Sequence, residues 1–234
     1  MTAGKFTLLK AVIETRYMQT ALFHDMQRMQ SIIKALNKDF QSIHHSPGQA
    51  LILFNPEERK TIGTYPDRVA FDIDEPELNE RESVNPYFTN VSSWIEMISN
   101  ELSIDTFNRF GLRLFFLFEM DSAEAGREKL INTFFLPIKE YDPVQTTVSF
   151  TTNKEDLTFT FNINAITSFS LFSQINYESG QHTQENRNRK GILYDIDVYV
   201  QGELTLSQLP TFQLNAYNQA MKFADEFNVL VQSR

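Results

Sequence analysis

The sequence predicts an α+β fold: a mainly antiparallel, curved sheet packed against long helices. Three observations point to it. Residues 109–120, Arg-Phe-Gly-Leu-Arg-Leu-Phe-Phe-Leu-Phe-Glu-Met, lie near the middle of the chain and are its longest strongly apolar run. Short segments with two-residue alternation come in groups, and each group is followed by a segment with an unbroken helical stripe. The order strand, helix, three strands, helix then occurs twice. The chain therefore reads as two pseudo-symmetric β-α-β-β-β-α halves, about 1–104 and 105–234. Two separate α+β domains are the alternative. No Gly/Ser-rich linker divides the halves, which favours a single domain, 1–234, built from two intimate halves.

Residues 9–17 open the first half. Ala11, Ile13, Thr15 and Tyr17 alternate with Glu14 and Arg16, the pattern of a strand with one wet face. Leu22, Met26, Met29, Ile33, Leu36 and Phe40 recur every three or four residues and predict one continuous helix. His44, His45, Ser46, Pro47 and Gly48 read as the loop that ends it. Strands are expected at 50–54, 60–64 and 68–73, with the turns Asn55-Pro56-Glu57 and Tyr65-Pro66-Asp67 between them. Residues 76–84 read as polar linker. A helix should start near Pro86, because proline is harmless in a first turn, and Phe88, Val91, Ile95, Ile98 and Leu102 form its stripe.

In 109–120, Leu112, Leu114, Phe116 and Phe118 alternate with Gly111, Arg113, Phe115, Leu117 and Glu119. Both sets are largely apolar, so a central strand covered on one face and partly on the other is expected. At about a dozen residues it is too short to span a bilayer as a helix, which takes about 20. Asp121 or Ser122 should cap the next helix, with Glu124 in its first turn. Ala125, Leu130, Ile131 and Phe134 are its apolar positions. Pro137 and Pro143 bracket a connection. Segments 146–152 and 157–161 read as strands around an Asn153-Lys154 turn, and 166–175 and 192–200 as the last long strands. Residues 178–190 have neither period nor apolar side chains and read as a mobile hairpin loop. Leu209, Phe212, Ala216, Ala220, Phe223, Phe227 and Leu230 mark the final helix. Phe71-Asp72-Ile73-Asp74 and Tyr194-Asp195-Ile196-Asp197 echo each other in matching places of the two halves.

Composition narrows the function. A chain that is 41% hydrophobic and 22% charged has an ordinary globular make-up. It has no cysteine, which excludes disulfides, thiol catalysis and thiolate metal sites. No apolar run with a small-residue cleavage site follows the initial Met-Thr-Ala-Gly-Lys, so no secretory signal is expected and the default location is cytoplasmic. A formal net charge of −9 disfavours nucleic acid and anionic membrane as partners; Arg187, Arg189 and Lys190 are the nearest approach to a basic patch. The chain holds 21 phenylalanines and one tryptophan, and only Phe6, Phe23, Phe40, Phe54, Phe71 and Phe88 precede residue 104. The second half should hold the bulkier core, or a cavity or interface lined by rings.

Three short segments resemble a sporadically distributed family of uncharacterised bacterial proteins of about this length. Leu9-Lys-Ala-Val-Ile-Glu-Thr-Arg-Tyr17 is similar to its opening strand, Phe110-Gly-Leu-Arg-Leu114 to its mid-chain strand, and Tyr194-Asp-Ile-Asp-Val-Tyr199 to the strand before its long final helix. Leu114-Phe115-Phe116 stands where that family has an aromatic and an Asn-Arg pair. The resemblance implies a bacterial protein and, from the family's patchy distribution, a link to mobile or defence-associated genes. It implies no reaction and no catalytic residues.

Two sets of residues invite a functional reading. Asp72, Asp74, Asp195 and Asp197 form pairs at i, i+2, which puts both members of a pair on one face of a strand. Converging carboxylates can hold a divalent cation; the plainer reading is the wet face of two amphipathic strands. Phe115, Phe116, Phe118, Phe159, Phe161, Phe169 and Phe172, with Phe134 and Phe135 alongside, are either core or the lining of an apolar groove between sheet and helix. The histidines His24, His44, His45 and His182 have no metal-ligand spacing, and there is no nucleophile elbow, P-loop or Gly-x-Gly-x-x-Gly turn. No cofactor is therefore expected. Most of these features favour a non-catalytic protein that recognises another protein, for which a dedicated partner encoded nearby is the first candidate, with self-association also compatible. A helix-grip-like binder of an apolar small molecule or extended segment is the first alternative. A divalent-metal enzyme using the aspartate pairs is the second.

Overall fold

The computed structural model describes residues 6–76, 81–135, 145–175 and 182–233. Within them the order is β1 (Phe6–Arg16), a 3-10 turn (Ala21–His24), α1 (Met26–Leu36), β2 (Ser42–Ser46), β3 (Ala50–Asn55), β4 (Lys60–Tyr65), β5 (Arg68–Asp74) and α2 (Arg81–Glu101). The chain continues with β6 (Phe107–Glu119), α3 (Ala123–Phe134), β7 (Thr147–Lys154), β8 (Leu157–Ile166), β9 (Phe169–Ile175), β10 (His182–Arg187), β11 (Gly191–Leu204) and α4 (Leu209–Gln232). Nine strands make one sheet in the order β2-β3-β4-β5-β1-β6-β11-β8-β7. Every neighbouring pair is antiparallel. β9 and β10 form a separate two-stranded hairpin. The fold is α+β, as the alternation of the strands and the helical stripes imply.

β6 lies at the centre, paired with β1 on one side and β11 on the other. Its two-residue alternation sorts the side chains. Phe110, Leu112, Leu114 and Phe116 are buried with Ala11 and Ile13 of β1, Phe71 of β5, Tyr194, Ile196 and Val198 of β11, and Phe159 and Phe161 of β8. The helices pack on this face. The α2 stripe Phe88, Val91, Ile95, Ile98 and Leu102 is fully buried, and α2 packs against α1 and α4. The Trp94 ring lies between Phe40 and Phe71 and donates its N–H to the Asp39 carboxylate at 3.0 Å. The Lys60 ammonium stands over two of these rings, 4.8 Å from Trp94 and 5.3 Å from Phe40, and is paired with Glu58 at 2.7 Å. In the second half, Phe223 of α4 packs edge-on against Phe159 and Phe161, and Phe227 against Phe150 and Phe161.

Several boundaries differ from the sequence expectation. The continuous helix over 22–40 is divided, because Asp25 accepts hydrogen bonds from the Gln27 and Arg28 amides and starts a new helix there. His44 and His45 lie in the edge strand β2 and not in a loop; the turn comes at Pro47 to Gln49, with Gly48 at φ +72°. α2 begins at Arg81, before Pro86, which falls in its second turn and forfeits a single backbone hydrogen bond there. Ser122, of the two candidates, caps α3 and accepts from the Ala125 amide at 3.0 Å. The β7–β8 turn falls at Glu155-Asp156, two residues late, with Glu155 in the left-handed region at φ +55°. Residues 182–187, read as loop, are a strand; a polar segment can pair through its main chain without any apolar side chain to announce it. The rest of the 178–190 tract up to 181, and Pro137 and Pro143, lie outside the described residues.

Candidate functional site: the face of the sheet away from the helices

The second face of the central strands carries a lattice of opposite charges. β1 supplies Lys10, Glu14 and Arg16, β5 supplies Arg68, Asp72 and Asp74, β6 supplies Arg109 and Arg113, and β11 supplies Asp195 and Asp197. These positions follow from the same alternation that sends their apolar neighbours to the helices. The register then sets the partners. Lys10 lies opposite Asp74, and its ammonium meets Asp72 at 2.9 Å and Asp74 at 3.2 Å. Arg113 lies opposite Asp197 but forks onto Asp195, at 2.7 and 2.6 Å. Arg109 donates to Glu14 at 2.7 Å and to Asp197 at 2.9 Å, tying β1, β6 and β11 together. At the far end Arg189 bridges Glu119 and Glu75.

Three guanidinium groups on this face also lie over rings: Arg68 over Tyr65 at 4.3 Å, Arg109 over Tyr199 at 4.7 Å and Arg113 over Phe115 at 4.9 Å. Phe115 in turn packs against Phe169, at the start of the β9–β10 hairpin. Burial alters the electrostatics. It pushes the Asp197 carboxyl above the ordinary carboxylate range, and Arg109 and Arg113 pull it back only in part. Burial works against the Lys10 ammonium, but Asp72 and Asp74 more than offset it and hold its pKa above the usual lysine value. Burial also raises the Tyr65 phenol.

All four candidate aspartates thus share one face, but they do not converge. Asp72 and Asp74 are separated from Asp195 and Asp197 by β1 and β6, which makes three strand spacings, about 14 Å. Each pair is served by cations from the strand beside it. Among the described residues no three His, Asp or Glu side chains form a group able to hold a metal. Neither are the pairs simply wet: Asp74 and Asp195 are buried.

The candidate groove residues divide. Phe116, Phe118, Phe159 and Phe161 are buried in the core under the helices. Phe115 and Phe169 pair on the opposite face. Phe172 belongs to β9, and its side chain lies outside the described set. A pocket of about 200 Å³ does occur beside α3, but Glu124, Arg127, Gln145, Thr146 and Thr167 line it with Ala123 and Ala165, and no ring takes part.

Lys10, Glu14, Arg109, Arg113 and Tyr199 are the members of the site that a search for motifs does not single out. Their signal is the alternation itself: polar and charged side chains that recur on one face of three strands whose other face is apolar. No helix among the described residues is long and apolar enough to cross a membrane. No protein-family model matches the chain, and no curated protein matches it.

Proposed function

We propose that the chain is a non-catalytic interaction protein that recognises another protein through the face of its sheet away from the helices. One observation carries this reading: three arginine–aromatic stacks, Arg68 on Tyr65, Arg109 on Tyr199 and Arg113 on Phe115, stand together on that face. Arg and Tyr are the side chains that most often dominate protein interfaces. Here they are held in place by ion pairs, which lowers the ordering cost of binding. The aspartates support recognition better than catalysis, because each already faces a cation. The burial of most of the phenylalanine set gives the apolar-ligand reading less support.

Two finer features belong to the same proposal. The sheet order supports two halves related by a pseudo-twofold between β1 and β6: β5 returns beside β1 as β11 returns beside β6. Exchanging the halves carries the pair Val12–Arg113 onto the pair Phe115–Lys10, and the cation of each half, Lys10 or Arg113, faces that half's aspartates. The lack of cysteine fits a reducing, cytoplasmic setting.

The test is affinity capture followed by calorimetry with the purified partner. Arg113→Ala and Tyr199→Ala on the face should each weaken binding about tenfold or more, a loss of about 1.4 kcal/mol. Lys222→Ala, on the exposed side of α4, should leave it unchanged. A partner that binds all three variants alike would overturn the reading.

A further inference from the structure

We propose that the end of this face formed by Arg16, Arg68 and Arg109 binds an acidic segment of the partner protein, an inference that rests on the proposed role of the face. The register places the three arginines side by side: Arg16 of β1 lies directly opposite Arg68 of β5 and directly opposite Arg109 of β6. Tyr65 of β4 and Gln201 of β11 extend the same rung on either side. Like charges directly across a strand pair repel, so the row needs counter-charge. Glu14 supplies most of it from within. It accepts from Arg16 Nε at 2.6 Å and from Arg109 Nη1 at 2.7 Å, and its other oxygen lies 3.8 Å from Arg68 Nε. Asp197 is committed to Arg109. Asp67, in the β4–β5 turn, takes Arg68 Nη1 at 3.2 Å.

With Asp197 and Asp67 the row is balanced in charge, but its guanidinium donors are not all used. Arg16 uses Nε alone in a side-chain pair, and its side chain is 49% exposed against 20% for Glu14. The Glu14 carboxylate is thus the more recessed of the two. Arg68 is partly exposed as well. The groups presented to a partner at this end are therefore guanidinium N–H donors of Arg16 and Arg68, with Asp67, 52% exposed, as the carboxylate that competes for them. The row spans two strand spacings, about 10 Å, roughly the length of three extended residues. Carboxylates at alternate positions of an extended segment can reach Arg16 and Arg68 together, each meeting the planar fork that suits it. The surroundings favour a protein over a nucleic acid: Tyr65 lies under Arg68, and Met18, 81% exposed, stands two residues beyond Arg16.

Fluorescence anisotropy of the full chain with a short labelled peptide of alternating Asp and Ser tests this, with the matching Lys peptide and a labelled single-stranded oligonucleotide as comparators. The acidic peptide should bind, more weakly in high salt, and the Lys peptide should not. Arg16→Gln with Arg68→Gln should weaken binding about tenfold or more, while Arg59→Gln, a partly exposed arginine paired with Glu75 elsewhere, should leave it unchanged. Asp67→Asn, which removes the carboxylate that competes for Arg68 and leaves the three arginines in place, should tighten binding several-fold; thermal melts of each variant establish that it is folded. No binding of the acidic peptide, equal loss with Arg59→Gln, or tighter binding of the oligonucleotide would overturn the proposal. If the acidic peptide fails while partner binding still depends on Arg113 and Tyr199, the acidic-segment inference falls and the broader reading stands. If partner binding depends on none of these residues, both fall.

Discussion

The guanidinium of Arg109 rests on Gly111, two positions along the same strand: a Cβ at residue 111 would lie 2.9 Å from Arg109 Nη1. Glycine in the middle of a central strand normally weakens it. Here the missing side chain is the seat that lets Arg109 lie flat, reaching Glu14 on one side and Asp197 on the other.

Gly111→Ala should therefore displace Arg109 and uncouple it from both carboxylates. We expect a loss of about 1–3 kcal/mol, in the range of disrupted charge networks and crowded sites. The urea midpoint of the variant measures it, and a double variant with Arg109→Met should recover part of the loss. A midpoint equal to that of the parent would show that the seat is unimportant.

The aspartates should matter for stability and not for metal. Asp195→Asn with Asp197→Asn leaves Arg109, largely buried, without one of its two partners, and Arg113 without its fork. A cost of about 2–4 kcal/mol is expected, slightly below that of a fully buried pair because Arg113 is half exposed. Asp72→Asn with Asp74→Asn strands Lys10 in the same way. Mg²⁺ and Mn²⁺ should leave the melting temperature of the parent unchanged; a dose-dependent rise that disappears in the double variants would restore the metal reading.

Stability should fall steeply in alkali. Lys10 is held above its ordinary pKa by Asp72 and Asp74 against the effect of burial, and burial raises the phenols of Tyr17 and Tyr194. In each case the folded state keeps a proton that the unfolded chain releases, so the contribution is complete below about pH 10 and is lost as pH rises through the folded pKa values. Urea midpoints followed from about pH 8 to pH 11 should stay level and then drop. Tyr17→Phe, which also removes the bond from its hydroxyl to the Tyr65 carbonyl, should lower the plateau and flatten the drop. An unchanged slope in Tyr17→Phe and Lys10→Met would refute the assignment.

The final helix gives a contrast within one element. Phe223 is only partly buried but meets Phe159 at 5.1 Å and Phe161 at 5.2 Å. Phe223→Ala should cost about 2–3 kcal/mol, below the range for a fully buried ring. Leu230 fits the same stripe yet is exposed, and Leu230→Ala should stay within about 0.5 kcal/mol. Chemical unfolding of the two variants side by side decides it; equal losses would mean that the stripe, not the ring contacts, sets the energetics.

How legible each part is depends on the range of the interaction that sets it. The inward face of β6 can be read directly, because Leu112, Leu114 and Phe116 alternate in a segment with no competing signal. The α2 stripe is equally plain. β2 is obscured because His44-His45-Ser46-Pro47-Gly48 carries turn signals, while its pairing with β3 comes from the main chain. β10 is hidden for the same reason. The aspartate echo can be read as a repeat, but its partners cannot: Lys10 and Asp72 are 62 residues apart, and Arg113 and Asp195 are 82. That register exists only once the sheet is assembled. Phe115 is misleading for a related reason, since it belongs to the same apolar run as Phe116 yet points to the opposite face.

The position of β6 between β1 and β11 has a consequence for the growing chain on the ribosome. The strands β2 to β5 can complete their sheet against β1 as soon as residue 74 has emerged. β6 then adds to β1, but its other edge stays bare until Gly191–Leu204 has been made. At about 5–20 residues per second, the most apolar strand of the protein waits several seconds with an unpaired edge, the kind of template on which chains aggregate. Arg109 and Arg113, which later hold Asp197 and Asp195, stand on that edge strand in the interval together with Glu119. Charges on an edge strand are one of the ways by which proteins discourage such pairing.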